Sequence, residues 1–508
     1  MTSPMPETNQ LPHALYRAEQ VRALDRAAIE DYGIPGADLM ERAGAAAYRL
    51  LRQRWPGARR VTVLCGGGNN GGDGYVVARL AAGDGCEVEV LALADPDGLT
   101  GDARTMADAY RDAGGTVSPF QGMPRRADVI VDALLGTGLD RDVTGDWAQA
   151  IAAANAHLAP KLAIDIPSGL HADTGRVLGL AIQAEVTISF IGLKQGLFTG
   201  EGPGCCGQIV FSPLGLPAVV WSREVLAARR LDWSKQAEFL TPRRRSAHKG
   251  DFGTVLVVGG APGMAGAARL AGEAALRSGA GLVAVASHPD HAALLGAGRP
   301  ELMCHAVTDG DGLGPLLERA DVVALGPGLG QGDWGRSLYA QVLASDKPLV
   351  LDADALNLLA AAPQASHRWI ITPHPGEAGR LLGRPTAEVQ ADRFAAVREL
   401  QARFGGIAVL KGAGTLIFGA SHRPPGLCSD GNPGMASGGM GDALTGIVAA
   451  LVAQGLSLEE AAGAGVCLHA AAGDLAAARG GERGLLASDL IAALRPVLNR
   501  QSLAQADP

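Results

Sequence analysis

Residues 431–442 read GNPGMASGGMGD and run directly into ALTGIVAALVAQG at 443–455. Half of the first twelve positions are Gly or Pro, a density that no regular element accommodates. The second stretch is apolar and Ala-rich, and it reads as a buried helix. A glycine-dense loop opening such a helix presents unpaired backbone N–H groups at the positive end of the helix dipole, where phosphate is the natural occupant. A carboxylate among those donors, Asp442, makes sense if it handles a proton or a cation, because a bare anion site would repel it. The competing reading is a plain helix cap, since Asp is a favoured N-cap residue.

Bulk composition limits the frame around this stretch. A chain of 508 residues is too long for one ordinary core and implies two or three domains. Hydrophobic content of 47% with only 4% aromatic and 71 glycines points to Ala/Val/Leu-rich α/β layers joined by tight turns. The net charge of −8 argues against a nucleic-acid-binding surface, and Arg243–Arg245 reads as a solvated patch beside a linker. Seven cysteines without C-x-x-C spacing suggest free thiols rather than a disulfide frame or a zinc site. The opening MTSPMPETNQLPH lacks a basic-then-apolar signal, and no uninterrupted apolar run of about eighteen residues is present. The expectation is a soluble, cytoplasmic protein with no membrane partner.

Earlier in the chain, Ala14–Leu51 reads as two helices broken at GIPG (33–36), with Val21, Leu24, Ala28 and Ile29 at helical spacing. VTVLC (61–65) is a short buried strand, followed by GGGNNGGDG (66–74) and the apolar run YVVARLAA. Strand, glycine loop and helix in this order make a ligand-cradling turn. Further strands are expected near 88–93, 129–132, 162–166 and 186–191, with helices around 102–113 and 147–156. This alternation implies a parallel sheet covered on both faces. Ligands in such sheets sit at the carboxyl ends of the strands, so NNGGDG, DALLGTGLDRDVTG and DIPSGLHADTG should converge in one crevice.

Gly66, Gly68 and Gly71 fit G-x-G-x-x-G, which leaves an NAD-dependent oxidoreductase open, with Asp95 as its ribose-binding acid. Against it, Asn69, Asn70 and Asp73 crowd the turn, and a carboxylate beside a pyrophosphate is electrostatically awkward. Asn70, Asp132 and Ser168 offer only hard oxygen ligands, which suit an alkali or alkaline-earth cation better than a transition metal.

The ordered motifs YRAEQVRALDRAAIEDYGIPGADLMERAG, GGGNNGGDG, VDALLGTGLD and DIPSG resemble the NAD(P)H-hydrate epimerase family over about 16–212. The resemblance implies a Rossmann-like three-layer sandwich that interconverts the R and S forms of NADH or NADPH hydrated at C6 of the nicotinamide ring. It implies that Asn69, Asn70, Gly71, Gly72 and Asp73 hold the hydrated dinucleotide. Gly136, Thr137, Gly138, Leu139, Asp140, Arg141, Asp142 and Asp165 would complete that set. Potassium would sit on Asn70, Asp132 and Ser168. Asp165 is the expected catalytic acid–base.

The segment 213–240 carries no clear sheet pattern, so the domain junction is placed near Ser222–Thr241, giving domains 14–222 and 241–500. An α/β rhythm then restarts: strand 255–258, helix 265–277, strand 282–286, and strands at 322–325, 349–352, 369–372 and 407–411. Each of the later strands ends in a polar or glycine-rich turn. No G-x-x-x-x-G-K-[ST] occurs, which disfavours a P-loop ATPase.

HKGDFG, GPGLG, DADALN, TPHPGE, KGAGT and NPGMASGGMGD together resemble the ADP-dependent NAD(P)H-hydrate dehydratase family, within the ribokinase-like superfamily, over about 241–496. The resemblance implies a second three-layer α/β/α domain. Ala265, Gly328, His374 and Asp442 would face the hydrated nucleotide, with Asp442 catalytic. Lys411, Gly412, Ala413, Gly414, Thr415 and Gly441 would bind ADP, with magnesium bridging its phosphates. His374 and Lys411 each have a bland competitor, a backbone-bonded strand-end histidine and a surface lysine. Asp352 and Asp354 could be metal-linked or merely helix caps, with the structural reading favoured, and His248, Lys249 and Asp251 read as a loop beside the substrate. The combined expectation is a bifunctional repair enzyme acting on NADHX and NADPHX, assembled as a homo-oligomer. The rival is a ribokinase-like small-molecule kinase fused to a dinucleotide-binding module.

Overall fold

The structure is a computed structural model that describes residues 11–419 and 423–499. Residue 500, the expected end of the second domain, lies outside the described residues. The chain divides into two compact units between Arg229 and Arg230.

In the first unit, two helices, Ala18–Glu30 and Gly36–Arg54, precede the sheet. Seven strands then run in the order Val117–Pro119, Glu87–Ala92, Arg60–Cys65, Val129–Ala133, Lys161–Ile164, Val186–Phe190 and Gln208–Ser212. All their pairings are parallel. The central strands are buried on both faces, as their Val/Ile/Leu-rich sequences suggest. The edge strands at 117–119 and 208–212 were not legible, being short or carrying a polar residue at each end. A further short strand, Ala228–Leu231, lies in the segment expected to lack sheet structure, and its first residues pair antiparallel with Ala14 and Leu15.

The second unit carries the strands Met303–Ala306, Leu282–Ser287, Thr254–Val258, Val322–Leu325, Leu349–Leu351, Trp369–Ile371 and Ile407–Leu410 in that spatial order, all parallel. Thr415–Phe418 and Gly426–Cys428 then continue the sheet antiparallel. The helix Met440–Ala453 packs on Ala265–Arg277 so closely that a Cβ at Gly446 would stand 2.0 Å from the Ala271 carbonyl oxygen. The helix Leu458–Gly480 is long and apolar enough to cross a membrane by composition. Its Ala, Val and Leu side chains are instead buried in the core, and Ser457 with Glu460 caps its start. All seven cysteines are free.

Candidate active sites

In the first unit the expected glycine loop is shorter than its sequence suggests. Only residues 66–68 are loop; the helix starts at Asn69 and runs to Gly83. Gly71, Gly72 and Gly74 therefore serve close packing within a helix. Added Cβ atoms would stand 2.1 Å from the Gly66 carbonyl oxygen, 2.4 Å from Met40 Sδ and 2.6 Å from Ala133 Cβ, respectively. The consequence is that Asn69, Asn70 and Asp73 project from the first turns of a helix wedged against the strand ends.

Three carboxyl-end segments, 67–73, 134–144 and Asp165, line one cavity of about 870 Å³. Asn69, Asn70, Asp73, Gly136, Thr137, Gly138, Leu139, Asp140, Arg141, Asp142 and Asp165 all border it, whereas Gly71, Gly72, Asp132 and Ser168 lie behind its wall. Sequence reasoning missed Arg22, Asp25 and Asp102, which also border it, the first two from the helix Ala18–Glu30 and the third from the helix Gly101–Asp112. Asp25 falls on the polar side of an amphipathic helix, a signal that surface exposure explains equally well.

Asp165 ends a strand with φ of +66°, a left-handed conformation unusual for a non-glycine residue and frequent at functional sites. Its carboxylate is paired with the wholly buried Lys194. The Lys194 ammonium also donates to Ser189 Oγ at 3.0 Å and to the Phe190 carbonyl at 3.5 Å, which uses its three N–H groups. Asp73 is pushed well above the usual carboxylate range by burial, reinforced by the charges of Asp165 and Asp25. Burial and the charges of Asp165 and Asp102 push Asp25 up as well.

Behind the wall, Ser168 Oγ donates to Asp132 Oδ1 at 2.6 Å and Ser168 N to Oδ2 at 2.8 Å. Burial nevertheless raises Asp132 to about 6. Both side-chain polar atoms of Asn70 are buried without a hydrogen-bond partner, a costly state unless a further group satisfies them.

In the second unit, Asp442 lies in the first turn of Met440–Ala453, after Gly439 with φ of +90°. Burial, and then the charge of Asp352, raises its carboxyl to about 7 against the pull of Lys411. Lys411 Nζ is 2.6 Å from Asp352 Oδ1 and 3.9 Å from Glu377 Oε2. Thr445, one turn after Asp442, donates to Asp352 Oδ2 at 2.9 Å. Asp352, expected to be structural, thus sits at the centre of the cluster, whereas Asp354 holds the Gly330 N–H and the Asn357 amide. Glu377 and Thr445 had no sequence signal beyond their motifs.

His374 N-caps the helix Pro375–Leu382: its Nδ1 accepts from Gly376 N at 3.0 Å and Glu377 N at 3.3 Å. The backbone-bonded alternative accounts for that nitrogen, and Nε2 remains on a half-exposed side chain facing Glu377 Oε1 at 3.5 Å. Gly328, φ +61°, lies where a Cβ would stand 2.6 Å from the Met264 carbonyl oxygen, beside the helix start at Ala265. Gly412 and Gly414 have φ of +131° and +66°. The buried Arg393 guanidinium clasps their loop by donating to the carbonyls of Leu410, Lys411 and Gly414 at 3.2–3.3 Å. Thr415 opens a strand, and its hydroxyl donates to the Gly412 carbonyl at 3.0 Å. His248, Lys249 and Asp251 form an exposed capped turn, with His248 N donating to Asp251 Oδ2.

Fold and sites together define a class: a two-unit α/β enzyme with a dinucleotide-sized cavity in one half and a carboxylate at a glycine-opened helix in the other. Residues 255–496 match the family model described as NAD(P)H-hydrate dehydratase, and 36–196 match YjeF-related protein N-terminus. The chain is 49% identical over 486 residues to the bifunctional NAD(P)H-hydrate repair enzyme Nnr of Coxiella burnetii, covering 96% of this chain and 99% of that one. It is 48% identical to the enzyme of the same name from Escherichia coli, covering 96% and 95%. A ribokinase-like superfamily protein from Enterococcus faecalis superposes with a TM-score of 0.50 at 32% identity, covering 55% of this chain and 97% of that one. The chain belongs to the bifunctional NAD(P)H-hydrate repair enzyme family. The small-molecule-kinase alternative is not favoured by these full-length relatives.

Proposed function

We propose that the first unit epimerises R- and S-NAD(P)HX and that the second dehydrates S-NAD(P)HX with ADP, releasing AMP and phosphate. The observation that carries this reading is the placement of Asp442, a half-buried carboxyl in the first turn of a helix opened by glycine; burial pushes it up to about 7, toward the range of a general base. The hydroxyl on C6 of the hydrate is a poor leaving group. Asp442 takes its proton, and the oxygen attacks the terminal phosphorus of ADP, forming a C–O–P ester as the bond to AMP breaks. The ring nitrogen's electron pair then expels phosphate, and loss of the C5 proton restores the dihydropyridine. The amides of Lys411–Thr415 and of Gly441 hold ADP, while Ala265, Gly328 and His374 Nε2 face the nicotinamide portion.

In the epimerase half, C6 bears both a hydroxyl and the ring nitrogen. Losing the hydroxyl, or opening the ring, gives a planar centre that closes from either face. Asp165 moves the proton, and the cavity residues 69–73 and 136–142 hold the dinucleotide. The unsatisfied amide of Asn70 and the oxygens of Asp132 and Ser168 fit a potassium ion, which would fix the loop behind the cavity wall. Magnesium would bridge the phosphates of the nucleotide. A cytoplasmic homo-oligomer completes the reading.

The test uses purified protein, mixed R and S hydrates, ADP and magnesium. Asp442→Ala should abolish AMP release and recovery of NADH absorbance. Asp165→Ala should leave dehydration of the S form intact and strand the R form. Normal AMP release by Asp442→Ala would defeat the proposal.

A further inference from the structure

The KGAGT loop presents one cation to the second site, Lys411, and a lysine in a nucleotide loop is ordinarily given to phosphate. Its side chain here is committed elsewhere. Lys411 Nζ meets Asp352 Oδ1 at 2.6 Å and Glu377 Oε2 at 3.9 Å, and both carboxylates are almost wholly buried. Asp352 is itself fixed from the opposite side by Thr445 Oγ1 at 2.9 Å, a hydroxyl that also accompanies the Gly441 carbonyl at 3.0 Å. A Cβ on Gly441 would lie 3.1 Å from Lys411 Nζ and 3.3 Å from Asp352 Oδ2. The ion pair therefore lies directly under the turn that carries Asp442, in tight contact with the position a side chain at 441 would take.

We propose that Lys411 and Asp352 are positioning residues for the base Asp442, and that the Lys411 ammonium is not a phosphate ligand of the nucleotide. This rests on the reading of Asp442 as the dehydratase base. An ammonium locked between two buried carboxylates would leave them uncompensated if it turned to ADP, a cost of several kcal/mol. Kept in place, it offsets the Asp352 charge beside Asp442 and holds the carboxyl in the range where it can accept a proton at neutral pH. Burial pushes Asp352 up, but Lys411 and the Thr445 hydroxyl outweigh it and hold it ionised. Among the other charges around Asp442, Glu377 adds to the upward push of Asp352. Glu377 faces the same ammonium; His374 is held below its ordinary value by burial and by Lys411. His469, from Leu458–Gly480, meets the Met440 carbonyl at 2.9 Å and is held down to about 4 by burial. On Ala265–Arg277, Arg269 is paired with Glu273 at 2.7 Å.

The experiment compares the full-length wild type with Lys411→Met, Asp352→Asn and the double variant Asp352→Asn/Lys411→Met. It reads the pH profile of kcat for ADP-driven dehydration, the KM for ADP, and Mg-ADP affinity by calorimetry. Removing the ammonium takes away the positive charge that favours the ionised form of Asp442, so the acidic limb of kcat for Lys411→Met should move up by about one pH unit. That is a roughly fivefold loss at pH 7, mostly regained at pH 8.5, with KM and Mg-ADP affinity within twofold of wild type. Asp352→Asn should move the limb down, and the double variant should return it toward wild type. An unmoved limb, or a tenfold loss of Mg-ADP affinity in Lys411→Met, overturns the proposal. If Lys411→Met does not fold, the charge-balanced double variant is read instead: unchanged Mg-ADP affinity supports the proposal and a tenfold loss overturns it. Undiminished turnover by Asp442→Asn would sink the underlying reading, independently of every Lys411 variant.

Discussion

Lys194 and Asp165 form an ion pair in which the ammonium is wholly buried and the carboxylate is not. One carboxylate oxygen, Oδ1, takes the ammonium and the Phe190 N–H, while the residue itself borders the cavity. Lysine thus fixes the orientation of a cavity-lining carboxylate without itself bordering the cavity. The left-handed backbone at Asp165 turns the chain so that this is possible, and the Ile188 carbonyl holds its N–H at 2.7 Å.

Lys194→Met should therefore lower epimerase kcat by about tenfold to a hundredfold. It should also destabilise this unit, but by less than the ~3–5 kcal/mol of breaking a fully buried pair, because the carboxylate left behind borders the cavity. Dehydration of pure S hydrate by the same protein should be unchanged. The two rates, measured with a denaturant curve, check the prediction.

Asp442 offers a stability test free of turnover. Its folded carboxyl titrates at about 7 against an ordinary 3.8, so between these values the folded state holds more protons than the unfolded state. Stability is then lost as pH rises from about 4 to 7, and the penalty is complete above 7. Asp442→Asn should raise Tm at pH 8 relative to wild type and leave it nearly unchanged at pH 4. Solvent reaching the half-buried group limits the gain to about 1–2 kcal/mol. Paired thermal scans at the two pH values decide it.

Gly71→Ala tests whether the glycine run after the first strand is packing or loop. The added methyl would meet the Gly66 carbonyl oxygen at 2.1 Å, a backbone atom that cannot rotate away. A loss of about 1–3 kcal/mol is expected, whereas Gly68→Ala, with open space around it, should cost far less. Urea midpoints of the two variants separate the alternatives.

Epimerase activity should depend on the monovalent cation. Replacing potassium by lithium should slow the wild type severalfold, and Asn70→Ala or Ser168→Ala should erase the difference between the salts. The epimerisation rate in matched chloride buffers is the measurement.

Buried strands announced themselves. VTVLC, Val322–Leu325 and Ile407–Leu410 are short runs made mostly of β-branched residues and leucine, the composition of strands buried on both faces. The short outer strands at Val117–Pro119 and Met303–Ala306, half covered and compositionally ordinary, did not. Glycine was the ambiguous letter. At 439 it opens a helix in the left-handed region, and at 71, 72 and 74 it lets a helix lie against its neighbours. The same residue type serves both purposes because it lacks a Cβ, and no local pattern tells them apart.

The amino-acid order by itself determined the two α/β halves, the positions of their main strands, and which motif residues follow strand ends, because alternating apolar runs and turn signals are local properties. Only the tertiary structure decided that Lys194 serves Asp165 and that Lys411 turns to Asp352 and Glu377. These partners lie 29, 59 and 34 positions apart along the chain. Their pairing exists only once parallel strands bring their carboxyl ends to one edge and burial makes an unpaired charge too costly to keep.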